Sequence, residues 1–452
     1  MIPKEASPSA DTPELKRELS LLDSTMLNVG CMIGSGIFLV PASIALILPS
    51  SPSIILVWIF GGIISLFGAL SVAELGAMYP NAGGQYVYLR EAYGPLSAFL
   101  YGWTAFTVIL TAAISAVAVG FATYLGYFIP LSAMGIKIIA IWSIILLTTI
   151  NCFGIRLGAI VQNGFTILKL LIIVALIVLG FTMTNAQSLD LSLTNIPFSF
   201  SSFLGPFGIA LVAVLWSYDG WIEITYVAGE VKNPQKNIPR SIILSMLIVL
   251  VIYTLVNITY LRVLPLEKIG QSTLVAADTA TKLIGSAGAS IAAITVMIAT
   301  IGSNNGFILS GARIYYAMGI DNSFPKIMAS VHPRFHTPIP SLIAQGVWSC
   351  LLVLSGTFDQ LFTYVIFASW IFYAMAAGAV LILRKRSPEL PRAYATWGYP
   401  YTPIIFILFS LYLVGNTLFE DPRDALFGLG IILLGIPAYY YWRWKASLPP
   451  RF

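Results

Sequence analysis

Gly30-Cys31-Met32-Ile33-Gly34-Ser35-Gly36-Ile37-Phe38 lies in the middle of the first long apolar segment of this 452-residue chain. Two glycines flank a serine where a membrane-spanning helix would otherwise run unbroken, and each glycine costs roughly 1 kcal/mol of helix propensity relative to alanine. The stretch therefore predicts a broken helix. In lipid, backbone groups freed by a break must find partners inside the protein, so an unwound segment survives only where it is buried or lines a cavity. Gly30-x-x-x-Gly34 also fits close helix packing. A second interrupted segment, Trp216-Ser217-Tyr218-Asp219-Gly220-Trp221, occupies the matching place in the second half of the chain. Paired interruptions of this kind point to the binding site of a transporter.

Composition places that break in a membrane. Hydrophobic residues make up 58% of the chain and charged residues 10%, well outside the range of ordinary globular proteins. Ser24 to Ala73, Ala92 to Ile136, Leu283 to Ala312 and Ala393 to Phe419 contain no Asp, Glu, Lys or Arg. A span needs about 20 apolar residues, so the longest of these runs hold more than one helix or a helix with its loop. The first 20 residues are polar, with no apolar core before a small-residue cleavage site, so no removable signal peptide is expected. Cys31, Cys152 and Cys350 are too scattered for a disulfide framework or a metal site. The histidines, His332 and His336, share one loop, and no nucleotide-binding or hydrolase motif is present. Nothing points to an enzyme, a cofactor, a metal or nucleic acid.

Apolar runs read against turn signals predict an all-α integral membrane protein with twelve spans, at about 22–48, 54–78, 96–126, 133–153, 158–183, 203–229, 240–264, 289–318, 339–356, 360–383, 401–418 and 425–442. An even number puts both termini on one side. That side then holds eighteen basic residues, Arg313 among them, against five opposite, the positive-inside bias of cytoplasmic termini. Residues 80–95 predict a Gly-rich turn and a short amphipathic helix on the cytoplasmic surface, and residues 265–288 an external loop with its own short helix. The first ten spans divide into two sets of five, 22–183 and 203–383, each led by an interrupted helix. Five is odd, so the second set runs inverted, the plan that places a site at the bilayer midplane. Residues 401–442 carry two further spans, and 1–21 and 443–452 are tails.

An unwound Ile33-Gly34-Ser35-Gly36 exposes N–H groups at the start of the following half-helix, whose positive dipole end suits a carboxylate. The break at Ser217-Tyr218-Asp219-Gly220 leaves the preceding half-helix with free carbonyls at its negative end, suited to an ammonium. Both together complement an α-amino acid. Trp216 is positioned to fold over a ligand as a gate, although aromatics in membrane helices also serve packing. Asp219 and Glu223 are one helical turn apart on the same face, and acids inside a membrane are usually functional. Lys169 is the single basic residue read as deep in a span, roughly 16 Å from its start by helical rise. With Gln162 and Thr166 it forms a polar stripe that must face the protein interior.

Taken together, Gly34-Ser35-Gly36-Ile37-Phe38, Pro80-Asn81-Ala82-Gly83-Gly84-Gln85-Tyr86, Phe165-Thr166-Ile167-Leu168-Lys169-Leu170, Tyr218-Asp219-Gly220-Trp221, Gly229-Glu230-Val231-Lys232-Asn233-Pro234, and Asn305-Gly306 with Arg313 resemble the amino acid-polyamine-organocation superfamily. The similarity is greatest to bacterial members of its L-type amino acid transporter group, the serine/threonine and alanine-serine-cysteine exchangers, and it spans nearly the whole chain. The resemblance implies the leucine-transporter fold, with substrate carboxylate on broken helix 1 and amino group on broken helix 6. It implies that Lys169 takes the place of a sodium ion between spans one, five and eight, with Ser303 nearby, and that Tyr253 lies near the substrate. Trp216 stands where relatives often carry Phe, and Ser217 where Ala is frequent.

The resemblance also implies a plasma-membrane, sodium-independent antiporter exchanging small or medium neutral L-amino acids. Eukaryotic light chains of the group pair with a heavy chain through a cysteine between spans three and four. Residues 127–132 contain none, so no disulfide-linked heavy chain is expected. A proton-coupled amino acid or polyamine symporter of the same fold is the alternative, and an amino-acid sensor or channel is the alternative of another class.

Overall fold

The computed structural model describes residues 14–48, 50–182, 203–355, 358–420 and 422–447. The ends of the predicted tails, the boundary positions 183 and 356, and the link 184–202 between the two predicted repeats lie outside them. Among the described residues the secondary structure is helical, and the sole β-type pairing is an isolated bridge between Leu19 and Val231.

The first span is broken as expected. α1 (Leu21–Met32) and α2 (Gly36–Ile47) meet at a bend of 41°. α1 starts cleanly because Ser20 and Asp23 form a reciprocal capping box. α3 (Ser51–Met78) is the second span, and the third is α5 (Pro95–Thr104) running into α6 (Leu110–Leu125). α7 (Ala133–Cys152) and α8 (Ile155–Thr182) complete the first five, with α4 (Gln85–Tyr93) between the second and third.

The second set opens with α9 (Gly205–Ser217), which unwinds over 218–222 before the single turn α10 (Glu223–Tyr226). α11 (Pro234–Val263), α14 (Ala287–Ile320), α15 (Ile339–Ser355) and α16 (Phe358–Arg386) follow, with α12 (Leu266–Gln271) and α13 (Val275–Ile284) in the loop before α14. α17 (Tyr401–Glu420) and α18 (Pro422–Ser447) end the chain. Nine described helices are long and apolar enough to cross a membrane, the bent α1–α2 pair makes a tenth, and α9 and α15 are shorter apolar helices. The protein is a multi-pass membrane protein.

Four local readings are corrected. α4 forms, but Gln85, Tyr86, Val87, Tyr88 and Leu89 are buried, so it is packed into the protein rather than lying on an interface. The loop 265–288 carries two short helices, not one. α11 begins six residues earlier than position 240, because Pro234 sits in the first turn, where its missing N–H costs nothing. Arg313 joins Lys169 as a basic residue buried in the bundle among the described residues, which takes one from the eighteen counted on the side of the termini. Its guanidinium forks onto Glu230, with Nε to Oε2 at 2.7 Å and Nη2 to Oε1 at 2.9 Å, both side chains fully buried. The pair locks α14 to the segment that follows α10.

One feature of the third span has no counterpart in the sequence reading. Ala105–Ile109 forms a π-helical turn between α5 and α6, with Thr111 Oγ1 donating to the carbonyl of Phe106. Such turns shift the facing of every side chain beyond them. Here the shift carries Ile109, Leu110 and Ala113 to the wall of the central cavity.

Candidate functional site

The two breaks lie directly against one another. Gly220 has φ of +110°, and a Cβ there would sit 2.9 Å from the backbone of Cys31 and Met32. A Cβ on Gly36 would meet Ser217 Oγ at 2.8 Å and its Cα at 3.2 Å. Glycine is needed at both positions so that two irregular backbones can touch. Asn28 of α1 ties them further: its Nδ2 donates to the carbonyl of Trp221 at 2.8 Å, and its Oδ1 accepts from the N–H of Ile224 at 2.9 Å. One buried amide thus replaces backbone bonds lost in the second break, which is what a low-dielectric surrounding demands.

The carbonyls freed at the first break have specific partners. Lys169, fully buried on α8, donates from Nζ to Gly30 O at 2.6 Å and Ile33 O at 2.7 Å. Ser303 of α14 places its Oγ 2.8 Å from the same Gly30 oxygen. Tyr253 of α11 holds its hydroxyl 2.8 Å from Met32 O and 3.0 Å from Ser217 O, and so spans both breaks. A phenol has one proton, so it donates to one of these carbonyls at a time. Along α8, Gln162 Oε1 accepts from Asn305 Nδ2 at 2.9 Å, and Thr166 Oγ1 reaches Met26 O at 3.2 Å. The predicted polar stripe therefore faces α1 and α14.

On the donor side, no carbonyl among the described residues accepts from the N–H groups of Ser35, Gly36 and Ile37. They stand at the start of α2, and Ser35 and Gly36 line the space beside the break. That space is a cavity with about 90 Å³ of room for water, several times the ~15 Å³ one water molecule needs. Gly34, Ser35, Gly36, Trp216, Ser217 and Asp219 line it, as does Ser303.

Other residues picked from the sequence support the cavity from behind. Ile33 is fully buried and contributes its carbonyl to Lys169. Tyr218 points away, its hydroxyl donating to Trp58 O at 3.1 Å, and its ring packs beside Trp58 and Tyr253. Gly220, Tyr253 and Lys169 likewise stand outside the lining.

Asp219 and Glu223 do not share a continuous helix, because 218–222 is unwound. Asp219 Oδ1 accepts from Tyr373 Oη at 2.7 Å and from the N–H of Gly220 at 2.9 Å, while Glu223 accepts from Ser310. Both nevertheless reach the same cavity. Tyr226, Phe307 and Tyr373 complete its polar and aromatic wall, and the sequence reading had singled out none of them.

Ala116 and Val117 of α6 and Val365 of α16 complete the lining of the cavity. Toward the tails it is closed by Tyr101 Oη donating to Tyr226 Oη at 2.8 Å, by Glu223 on Ser310, and by the Arg313–Glu230 pair.

Residues 19–436 match the Amino acid permease family. The chain is 34% identical to the serine/threonine exchanger SteT of Bacillus subtilis (strain 168), over 94% of this chain and 97% of that protein. It is 32% identical to the b(0,+)-type amino acid transporter 1 of Mus musculus, over 95% and 88% of the two chains. It is 31% identical to the cystine/glutamate transporter of Homo sapiens, over 96% and 86%.

Proposed function

The chain belongs to the amino acid permease family, and from that premise we propose that it exchanges small and medium-sized neutral L-amino acids across the plasma membrane without sodium, its termini in the cytoplasm. The observation that carries this reading is the pairing of opposite backbone polarities in one cavity. Free N–H groups at Ser35, Gly36 and Ile37 receive the substrate carboxylate, and the carbonyl end of α9 near Ser217 receives its ammonium. Trp216 closes over the ligand, and Ser217, Asp219 and Ser303 face it.

Lys169 and Tyr253 serve the site indirectly. Lys169 supplies a fixed positive charge where a sodium ion would otherwise bridge α1, α8 and α14, and Tyr253 couples the two breaks. The names of the similar proteins, an exchanger among them, support antiport. The two inverted sets, 22–183 and 203–383, are the moving parts of alternating access. The chain works without a disulfide-linked heavy chain, since 127–132 offers no cysteine.

A second reading, proton-coupled symport, is favoured by one observation: Glu223 is a carboxyl group buried against Ser310 at the cavity wall, and no basic side chain lines that cavity among the described residues. Its proton can be gained and lost as the cavity is alternately opened.

Competition for binding tests the two-ended site. Amino acid amides and N-acetyl amino acids are each expected to compete at least about tenfold more weakly than the parent, since each removes one charge-assisted bond set. An amine without a carboxylate that competes as well as the parent amino acid would shift the assignment to polyamine transport.

A further inference from the structure

We propose that the recess between the N-terminal tail, the start of α8 and the segment following α10 binds the headgroup of an anionic phospholipid. Lys16, Arg17, Arg156 and Lys232 line this recess, with Glu18 and Asp23 as the acidic side chains beside them. Four cations thus face two carboxylates, and none of the four forms an ion pair with a carboxylate among the described residues. Asp23 lies near Lys232 but is already engaged, accepting from Ser20 N at 2.8 Å, Ser20 Oγ at 2.6 Å and Asn163 Nδ2 at 2.6 Å. The recess keeps an excess of positive charge.

The bases come from three separate segments, two of which the backbone ties together. Glu18 N and Leu19 N both donate to Glu230 O, at 2.8 and 2.9 Å, and Lys232 N donates to Leu19 O at 2.8 Å. Arg156 stands on the first turn of α8, opposite this pinned tail. A phosphate between them would join groups that no protein carboxylate joins.

A lipid is the source of that phosphate because the recess opens sideways onto an apolar surface. Leu157 and Ile160, in the first two turns of α8, are 41% and 58% exposed. From Ile160 the exposed stripe continues through Ile167, Leu171, Val174 and Val178, about 27 Å of helix by rise and the length of a bilayer core. One molecule with an anionic head on the four bases and acyl chains along this stripe satisfies both surfaces. Bases beside a span on the cytoplasmic side are attracted to such lipids.

Native mass spectrometry of the full-length protein, released from detergent with phosphatidylglycerol and phosphatidylcholine of matched chains, reads the binding without reference to transport. Wild type is expected to retain phosphatidylglycerol about tenfold over phosphatidylcholine, and Arg156→Gln/Lys232→Gln to bring that ratio close to one. Lys268→Gln, at the opposite face, is expected to leave it unchanged, and millimolar inorganic phosphate to leave the lipid in place. Equal retention of the two lipids by wild type, an unchanged ratio in the double variant, or displacement by inorganic phosphate overturns the proposal.

Discussion

Lys169→Ala is expected to lower amino acid exchange by at least about a hundredfold at matched protein density, without making it sodium-dependent. The ammonium donates to two carbonyls at the end of α1 that have left the helical ladder. Stranding a buried acceptor costs about 1–3 kcal/mol each, and 2.7 kcal/mol corresponds to a hundredfold. Ser303 Oγ remains within reach of both Gly30 O at 2.8 Å and Ile33 O at 3.3 Å, but its single proton serves only one of them at a time, so one carbonyl is left stranded. No sodium requirement arises, because deleting an amine does not assemble a shell of oxygen ligands. The defect is expected in the turnover rate as well as in affinity, since these contacts must form and break as the first half-helix moves against α8. Near-normal exchange by the variant would show that the charge is structural ballast.

Gly36→Leu is expected to abolish substrate binding and, because its Cβ presses on Ser217, to lower the melting temperature of the inserted protein. Even the first carbon of the new side chain meets Ser217, and the rest fills the space beside the free N–H groups of Ser35 and Ile37. Ser35→Leu, at a cavity-lining position that already carries a Cβ, is expected to lose binding through the same shielding. Gly220→Ala probes the other side of the contact: it combines a left-handed backbone with a Cβ pressed on Cys31 and Met32, and is expected to lower the melting temperature too. Unchanged affinity in folded Gly36→Leu would remove the carboxylate from the first break.

Why these sites could be found beforehand follows from what kind of signal each leaves in the chain. Both breaks are written locally, in Gly34-Ser35-Gly36 and in Asp219-Gly220, where helix formers give way inside an apolar run. Lys169 announces itself because a lone ammonium deep in a span must have partners. Where those partners lie was implied by the family resemblance, and an unwound segment has carbonyls to offer such a charge. Asn28 carried a fainter signal, a single amide in an apolar segment, and its role depends on α10 lying beside it.

Tyr373 and Tyr226 sit on helices remote in sequence from the first break, and only helix packing brings them to its cavity. The π turn at Ala105–Ile109 leaves no mark in composition at all. Tyr218 was placed in the lining from its neighbours in the chain, but in an unwound turn successive side chains point different ways, and its ring turns to Trp58. Arg313 was counted with the loop charges because it lies only five residues inside the predicted end of its span at 318. The helix runs on to Ile320, and Glu230 meets the arginine inside the protein.

The central claim, sodium-independent exchange of amino acids through the paired breaks, is tested most directly by uptake into proteoliposomes holding the purified protein. Labelled serine is supplied outside in choline buffer, with unlabelled amino acid either present or absent inside. Rapid uptake into loaded vesicles, little into empty ones, and no change when sodium replaces choline or a pH gradient is imposed is the predicted result. Equal uptake into empty vesicles driven by a proton gradient, or uptake that requires sodium, would contradict it.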